Sequence, residues 1–275
     1  MTNREGAMAA ELKWKDLWSS RCAALAGRRD LLRNLVWAEL TARYKTTTLG
    51  VIWFVLNPVL SMVIMVVVFR LFMRVDIPHY PVFVLSALLP WTFFQMGLSN
   101  ASGSIPRSTG MVKKVLIPRA LIPLSAIIAS WIHFLISLTV LFVLMAATSV
   151  RFTAYILYLP AVMVLQGVFL IGAGLLTASL NVFYRDIEYL LDPLLRAMFY
   201  LTPSFYPLTW VPKRFLNLYL LNPMAGIIEI YRETLIQGTF PGFTLLGITS
   251  LASLLTLVLG VITFARSEPH FDDYI

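Results

Sequence analysis

The sequence predicts an all-α, polytopic membrane protein with six transmembrane helices, an N-terminal amphipathic interfacial helix and periplasmic re-entrant half-helices. Of its 275 residues, 59% are hydrophobic and 13% are charged, which is more apolar surface than a soluble domain of this length can bury. The apolar residues form long uncharged runs, and a helix that crosses a bilayer core of about 30 Å needs roughly 20 of them. These runs are continuously apolar, whereas a membrane β-barrel shows short alternating segments.

Five uncharged runs are long enough to cross a bilayer: 51–69, 81–106, 120–150, 152–184 and 234–265. Residues 185–233 are harder to assign because several prolines divide their apolar stretches, and stretches of about 10–14 apolar residues are more often re-entrant or interfacial. We predict a fifth span over about 190–206, then two half-helices that dip back from the periplasmic side, then a sixth span over about 243–265. The count becomes seven if residues 215–228 cross fully.

The lysine and arginine residues indicate the orientation, because basic residues near spans are held on the cytoplasmic side. Residues 1–50 contain nine of the 22 and the loop 107–119 contains four, whereas the opposing loops after the first and third spans contain Arg70 and Arg74, then Arg151. Both termini are therefore predicted to be cytoplasmic. The predicted divisions are an N-terminal segment without a cleavable signal peptide, an interfacial helix, a transmembrane domain and a cytoplasmic tail, at 1–27, 28–50, 51–266 and 267–275.

Residues 28–49 are too charged to span the membrane and instead form an amphipathic pattern. The predicted apolar face consists of Leu31, Leu35, Ala38 and Ala42, with Leu32, Val36 and Leu40 beside it. Such a helix lies in the membrane interface, with its cations among lipid phosphates. It is either a plain topogenic anchor or a helix that flanks a lateral entrance and attracts an anionic headgroup through Arg28, Arg29, Arg33, Arg43 and Lys45.

The predicted cytoplasmic turn 106–123 contains both basic and apolar residues. Pro106 ends one helix, and Ser108 supplies cap chemistry for a short helix over 111–117 that Pro118 bounds. An ordinary positive-inside loop needs the charges but not the apolar residues, which favour burial against a partner surface. We therefore prefer a coupling helix for a soluble subunit, with contacts at Ser108, Met111, Lys113, Lys114 and Leu116.

A tight cytoplasmic hairpin over 181–192 contains Arg185, Asp186 and Glu188. These charges could pair with each other, or Arg185 could reach a lipid phosphate, or all three could contact a partner protein. Charge alone does not distinguish these roles.

The segment 201–231 is rich in proline and aromatic residues. Half-helices at membrane depth are tolerated only where protein or a water-filled cavity surrounds them. The aromatic side chains there could line a pore mouth and stack on sugars, or they could form the ordinary interfacial belt of tryptophan and tyrosine. The residues concerned are Tyr200, Phe205, Tyr206 and Trp210.

Several function classes are disfavoured by what the spans contain. No chain of carboxylates crosses the membrane, and His133 is the lone titratable group near a span centre, where helix packing is a commoner role than proton transfer. A proton- or sodium-driven antiporter is therefore disfavoured. No GxxxxGK[ST] loop is present to cradle ATP phosphates, and we find no acid/base or metal constellation. We expect this chain to bind no metal, cofactor or nucleic acid.

Five segments in order carry a family resemblance. They are LVWAELTARYKTTTLGVIWFVLNP at 35–58, LIPRALIPL at 116–124, NVFYRDI at 181–187, LTPSFYP at 201–207 and LNPMAGIIEIYR at 221–232. Together they resemble ABC transporter permeases that export lipid-linked O-antigen, capsule and teichoic acid. The likeness runs from about residue 30 to FDDYI at 271–275, and the first 27 residues lie outside it.

This resemblance implies a six-span subunit of the bacterial inner membrane that homodimerises and binds two copies of a separate ABC ATPase subunit, which would hold ATP and magnesium. It implies an amphipathic gate helix, a coupling helix at 106–118 and periplasmic re-entrant helices, and the last favours six spans over seven. The substrate would be a polysaccharide on polyprenyl pyrophosphate, moving through a channel lined partly by aromatics. The chain would be a transport subunit without its own ATPase site.

The specific roles follow from that reading. Lys113 and Lys114 would receive force from the ATPase, the hairpin charges would form a second contact, and the basic residues of 28–50 would attract the pyrophosphate. A drug or small-lipid exporter of the same architecture remains as an alternative. A membrane-embedded lipid or sugar enzyme ranks last, because it would need clustered polar catalytic residues.

Overall fold

The computed structural model describes residues 29–44, 50, 52–112 and 118–274, and within these residues it contains helices and no strand. Five helical segments are long and apolar enough to cross a membrane: Ile52–Phe72, Tyr80–Arg107, Leu121–Ala147, Ala154–Phe183 and Phe243–Asp273. They overlap the five predicted apolar runs, so the helical membrane fold is confirmed. The sixth span stays a prediction.

We label nine helices: α1 (Arg29–Tyr44), α2 (Ile52–Val66), α3 (Tyr80–Arg107), α4 (Leu121–Ala147), α5 (Leu159–Phe183), α6 (Asp186–Leu201), α7 (Lys213–Leu220), α8 (Pro223–Arg232) and α9 (Phe243–Ser267). π-helical turns follow α2 at Val67–Phe72 and α8 at Glu233–Gln237. Shorter helical turns cover Thr109–Val112, Ala154–Tyr158, Leu208–Trp210 and Glu268–Asp273.

The long helices run alternately in opposite directions, so the bundle has two ends. At the Arg107 end, the last residue of α5 lies beside the segment that follows α9, where the rings of Phe183 and Tyr274 are 4.9 Å apart. At the Tyr80 end, the hydroxyl of Tyr80 donates to the carbonyl of Phe205 at 2.9 Å. Arg107 and Arg119, which border the basic loop, therefore lie at the same end as residues 268–274.

Helix α3 forms the centre of the bundle. In its most apolar 18-residue window, 78% of the residues are buried, against 11% for Ile52–Phe72 and 17% for Phe243–Asp273. Aromatic side chains fill its contacts: the ring of Phe93 lies 5.0 Å from that of Phe134 in α4, and the ring of Phe94 lies 5.2 Å from that of Phe169 in α5. The peripheral helices α2 and α9 leave apolar faces free to meet lipid.

The contact between α2 and α4 satisfies a backbone group that a proline leaves unpaired. Pro58 has no N–H to donate to the carbonyl of Phe54, four residues earlier in α2. Ser137 of α4 donates its hydroxyl to that carbonyl at 3.0 Å, so the group stays paired within the protein. One turn away, His133 is 2% exposed and its ring centroid lies 3.6 Å from that of Phe54, which fits a packing role.

Helices α5 and α9 approach backbone to backbone at two glycines. A Cβ added to Gly172 would lie 2.5 Å from the Cα of Leu257, and one added to Gly260 would lie 2.0 Å from the carbonyl oxygen of Gly172. Real Cβ atoms do not come this close to backbone, so any side chain at either position would force the helices apart. Close approach of this kind through small residues is typical of membrane helices.

The region between the fourth and last long helices contains α6, α7 and α8. Helix α6 has 16 residues, a length of about 24 Å at 1.5 Å per residue, and it ends at Leu201, before the end predicted for the fifth span. Helices α7 and α8 have 8 and 10 residues. No continuous helix covers 215–228, which removes the basis for a seventh span. Helix α8 is buried against α3, α5 and α9.

Helix α1 packs along α4 with part of the predicted apolar face. Val36 is its buried residue, at 8% exposure, and Leu31, Leu32, Leu35 and Leu40 around it are half-buried. Ala38 and Ala42, which the pattern also assigns to this face, are exposed, so the buried side is centred on Val36. The sequence pattern located an amphipathic helix here but not the partner that selects its inner face.

Candidate functional site

The Arg107 end carries the predicted coupling segment. Ser108 is half-buried directly after α3, and its backbone N–H donates to two carbonyls of the last turn of that helix at 3.1 Å each. It therefore caps α3 and marks where the turn begins. Outside the described residues lie the side chain of Met111 and all of Lys113, Lys114 and Leu116. Their coupling role stays a prediction.

Asn181 orders the hairpin between α5 and α6. Its Nδ2 donates to the carbonyl of Ser102 in α3 at 3.1 Å, and that carbonyl lacks its helical donor because residue 106 is proline. Its Oδ1 accepts from the backbone N–H of Glu188 at 3.2 Å. Asn181 is 1% exposed, so one buried amide connects three helices. This role was not predicted, although Pro106 signalled an unpaired carbonyl.

The three charged residues of the hairpin all reach the surface. Arg185, Asp186 and Glu188 are exposed, and no ion pair joins Arg185 to either carboxylate in the described part of the chain. Asp186 and Glu188 lie in the first turn of α6, where the helix dipole favours carboxylates. These three charges therefore form no ion pair with one another in the described part of the chain, and their contact with lipid phosphate or a partner protein stays a prediction.

Glu188 and Arg107 lie against Gly103 of α3. A Cβ added to Gly103 would come 2.6 Å from the Glu188 carboxylate and 2.8 Å from the Arg107 guanidinium. Arg107 donates to the carbonyls of Gly103 and Asn100 at 2.9 and 2.8 Å. A Cβ here would displace the ends of both flexible side chains, so the glycine lets the two charged groups lie close to the backbone of α3.

The segment 268–274, for which the sequence predicted only a cytoplasmic tail, completes this end of the bundle. Phe271 is 0% exposed, and its ring centroid lies 5.5 Å from that of Phe264 in α9 and 6.0 Å from that of Phe183 in α5. Arg119, just before α4, donates to the carbonyl of Glu268 at 2.6 Å and forms an ion pair with Asp272. Residues 268–274 therefore tie the starts and ends of three helices together.

Helix α6 presents charged and aromatic residues on its exposed side. Tyr189, Asp192, Arg196 and Tyr200 follow one another at three- and four-residue spacing, so they share one face, and all four are exposed. Leu191 and Leu195 form the buried side. The predicted span 190–206 already contained Asp192 and Arg196, so the signal was present in the sequence but was not used.

Three of the four predicted channel aromatics lie together where α6 ends. Phe205 has ring centroids 6.0 Å from Tyr200 and 5.1 Å from Tyr206, and the hydroxyls of Tyr206 and Tyr219 are 3.1 Å apart. Trp210 is 57% exposed and has no ring contact with another described residue. The cluster is half-exposed at the Tyr80 end, so its rings are available at the mouth of any path along α6.

The buried Arg232 connects several groups at the Tyr80 end. It is 1% exposed, and its guanidinium donates to the carbonyl of Ser204 at 2.7 Å and to that of Tyr206 at 3.3 Å. It also lies 3.6 Å from the Glu229 carboxylate and 3.7 Å from the centroid of the Phe83 ring. One cation of α8 thereby fixes the loop that carries the aromatic cluster, a contact that the sequence did not reveal.

The basic residues predicted for a lipid headgroup are described only in part. Arg29 and Arg33 are exposed on α1, where they are free to approach a phosphate. Arg28 and Lys45 lie outside the described residues, and so does the side chain of Arg43. In the part of the chain that the structure describes, no group of three His, Cys, Asp or Glu residues could hold a metal ion.

Comparisons with known proteins agree with this architecture. A protein-family model described as "ABC-2 type transporter" matches residues 30–236. The chain is 30% identical over 247 residues to the O-antigen export system permease protein RfbA of Klebsiella pneumoniae, covering 90% of this chain and 95% of the relative. It is 31% identical to the protein of that name from Myxococcus xanthus, covering 78% and 83%, and 26% identical to the polysialic acid transport protein KpsM of Escherichia coli, covering 84% and 90%.

Proposed function

Because the chain belongs to the ABC-2 type transporter family, we propose that it is the membrane subunit of an ATP-driven exporter. It moves a lipid-linked surface polysaccharide, O-antigen in the first instance, from the cytoplasm across the inner membrane. A separate ATPase subunit supplies the energy. The relatives named above are permeases and transport proteins for O-antigen and polysialic acid, which supports a polysaccharide as the cargo.

The exposed face of α6 carries this proposal. Asp192 and Arg196 lie near the middle of α6, in the stretch 190–201 that carries no other charge. Charged side chains inside a membrane face a bundle interior or a water-filled cavity rather than lipid. Within a single chain this face is uncovered. A second copy of the chain, placed against it, would shield the charges from lipid and enclose a polar path between the two subunits.

The chemistry of that path fits a sugar chain. Tyrosine rings at 189 and 200 offer flat apolar faces, and the charged groups between them offer hydrogen bonds to hydroxyls. The path then reaches the Tyr200, Phe205 and Tyr206 cluster at the Tyr80 end. The leucines beside this stripe, Leu190, Leu194 and Leu201, are 60%, 49% and 62% exposed and would pack against lipid or the second copy.

The exposed cations of α1 suit the lipid end of the substrate. A pyrophosphate needs cationic donors at the interface, and Arg29 and Arg33 lie there on a helix that packs beside α4. The gate role of α1 follows: the headgroup would be attracted at its surface before the polysaccharide enters the path along α6. Neutralising either arginine should then weaken export of the lipid-linked polymer.

A deletion strain tests the proposed function. Loss of the gene should remove the surface polysaccharide and cause polyprenyl-linked polymer to accumulate inside the cell, measured by lipid extraction and mass spectrometry. The wild-type chain should restore export, whereas the double variant Lys113→Glu/Lys114→Glu should insert into the membrane without restoring it. Normal surface polysaccharide in the deletion strain, or accumulation of a drug or small lipid instead, would contradict the proposal.

The path along α6 is tested in the same strain. Arg196→Leu should reduce export at least about tenfold, because removal of a polar contact from the path leaves sugar hydroxyls unpaired. Ala197→Leu alters the neighbouring apolar side and serves as the matched control. Equal export by both variants at equal membrane abundance would argue against a path along this face.

A further inference from the structure

A socket opens on the Arg107 end where three distant segments meet. Its volume is about 210 Å³, enough for one large side chain. Thr109 lines the socket from the turn after α3, and residues of the hairpin between α5 and α6 line its base and its edge. The residues that shape it are Thr109, Asn181, Arg185, Glu188, Tyr189 and Tyr274. Both segments predicted to contact an ATPase therefore border one cavity, and residue 274 closes it.

Tyr274 is held in place by contacts with the Arg107 end of the bundle. Its ring packs edge-on against Phe183 with centroids 4.9 Å apart, and the residues just before it are anchored by the buried ring of Phe271 and the ion pair of Arg119 with Asp272. The side chain itself is 54% exposed. The Tyr274 side chain is thus exposed while the backbone that carries it is held by packing and an ion pair. Little conformational entropy is therefore lost when it contacts another molecule.

The lining favours a protein side chain over a lipid. Its lining combines apolar groups of Pro106, Val182, Tyr189 and Tyr274 with a cation at Arg185, an anion at Glu188 and the amide of Asn181. A side chain with an apolar body and a polar end matches both parts. Tyr184 and Tyr189 beside the socket are 66% and 80% exposed, and exposed tyrosines in a group are typical of protein interfaces.

We propose that residues 268–274 form a third part of the docking surface for the ATPase subunit, with Tyr274 and Tyr189 flanking a socket that receives one of its side chains. This inference rests on the proposed function, because it needs that subunit to exist. It adds an element that neither the charge pattern nor the matched family range of 30–236 includes. The two predicted contact segments then act as one surface.

Site-specific photocrosslinking tests the contact directly. The photoreactive amino acid p-benzoylphenylalanine replaces Tyr274, or Tyr155 at the opposite end as the control, in the chain co-expressed with its P-loop ATPase subunit. Irradiation should produce an adduct with the mass of both subunits for position 274 and not for 155. An adduct with lipid alone at position 274, or none while the wild-type complex still purifies intact, would overturn the inference and leave the proposed function standing.

A second measurement separates docking from folding. Tyr274→Ala should lower the amount of ATPase subunit retained on the purified permease about tenfold, as expected for an interface anchor, without changing the thermal unfolding midpoint. Tyr155→Ala should retain the wild-type amount. Full retention by Tyr274→Ala would overturn the inference. If the wild-type chain itself retains no ATPase subunit, the proposed function fails before this comparison begins.

Discussion

The two ends of the bundle use arginine in opposite ways. At the Tyr80 end, Arg232 is 1% exposed and is surrounded by two backbone carbonyls, a carboxylate and an aromatic ring. At the Arg107 end, the Arg119 side chain is 18% exposed and its partner Asp272 is 70% exposed. One arginine is an internal part of the fold, and the other lies in a surface contact.

This difference in burial distinguishes an end that is held rigid by internal contacts from an end whose surface is free to bind other molecules. A buried charge is tolerated only while its partners remain, so the loop that Arg232 holds has one stable position. A surface pair contributes little to stability and leaves its neighbours free to bind other molecules. The Arg107 end, with its exposed tyrosines and hairpin charges, is thus the end at which we propose that the ATPase subunit docks.

The largest effect should follow from Arg232→Met, which keeps an unbranched apolar stem but removes the charge and the donors. The carbonyls of Ser204 and Tyr206 lose a partner and the Glu229 carboxylate is left buried without its cation, so we expect a loss of about 3–5 kcal/mol in unfolding free energy. Thermal unfolding in detergent measures it. The double variant Arg232→Met/Glu229→Gln should recover part of the loss; no recovery would show that charge burial is not the cause.

A smaller effect is expected at the Arg107 end from Asn181→Ala. The change leaves the Ser102 carbonyl and the Glu188 N–H without their partner, and unpaired buried groups cost about 1–3 kcal/mol. Asn181→Asp keeps the acceptor for Glu188 but loses the donor to Ser102 and buries a carboxylate beside that carbonyl, so it should lose at least as much as alanine. Chemical unfolding of the three chains gives the order, and a loss at Asn181→Ala that exceeds the loss at Arg232→Met would reverse the comparison.

The smallest effect should come from Asp272→Asn, which removes the charge of the exposed partner of Arg119. We expect at most about 1 kcal/mol, and the loss should shrink further as salt is raised, because exposed charges are screened. Asp273→Asn alters the next exposed carboxylate and is the control. A salt-independent loss comparable to that of Asn181→Ala would mean that the Arg107 end is also held by a buried charge.

The long spans could be predicted because lipid imposes a strong rule on them. Any run of about 20 apolar residues must be helical to pair its backbone groups, and the runs at 51–69, 81–106, 120–150 and 152–184 all became helices at nearly the predicted bounds. The short stretches after residue 185 obey no such rule. The composition of 190–206 does not show whether the segment faces lipid, is buried or lines a channel, because that depends on which other segments pack beside it.

The site could be predicted only where a pattern is local. The amphipathic character of α1 and the charges of the hairpin are visible in consecutive residues. Asn181 and Arg232 are different, because their partners lie 79 and 28 residues away and a lone polar residue in an apolar segment does not indicate which carbonyl it pairs with. Phe271 carried a weaker signal, as an aromatic residue followed by Tyr274 within an acidic segment, and the count of charges did not reveal it.

The glycine contact between α5 and α9 bears on where lipid can enter the protein. With the backbone of Gly260 against the carbonyl of Gly172, no gap remains between these helices at this level that would admit an acyl or isoprenoid chain. A molecule carried by its lipid tail is therefore excluded from passing between α5 and α9 at these two glycines.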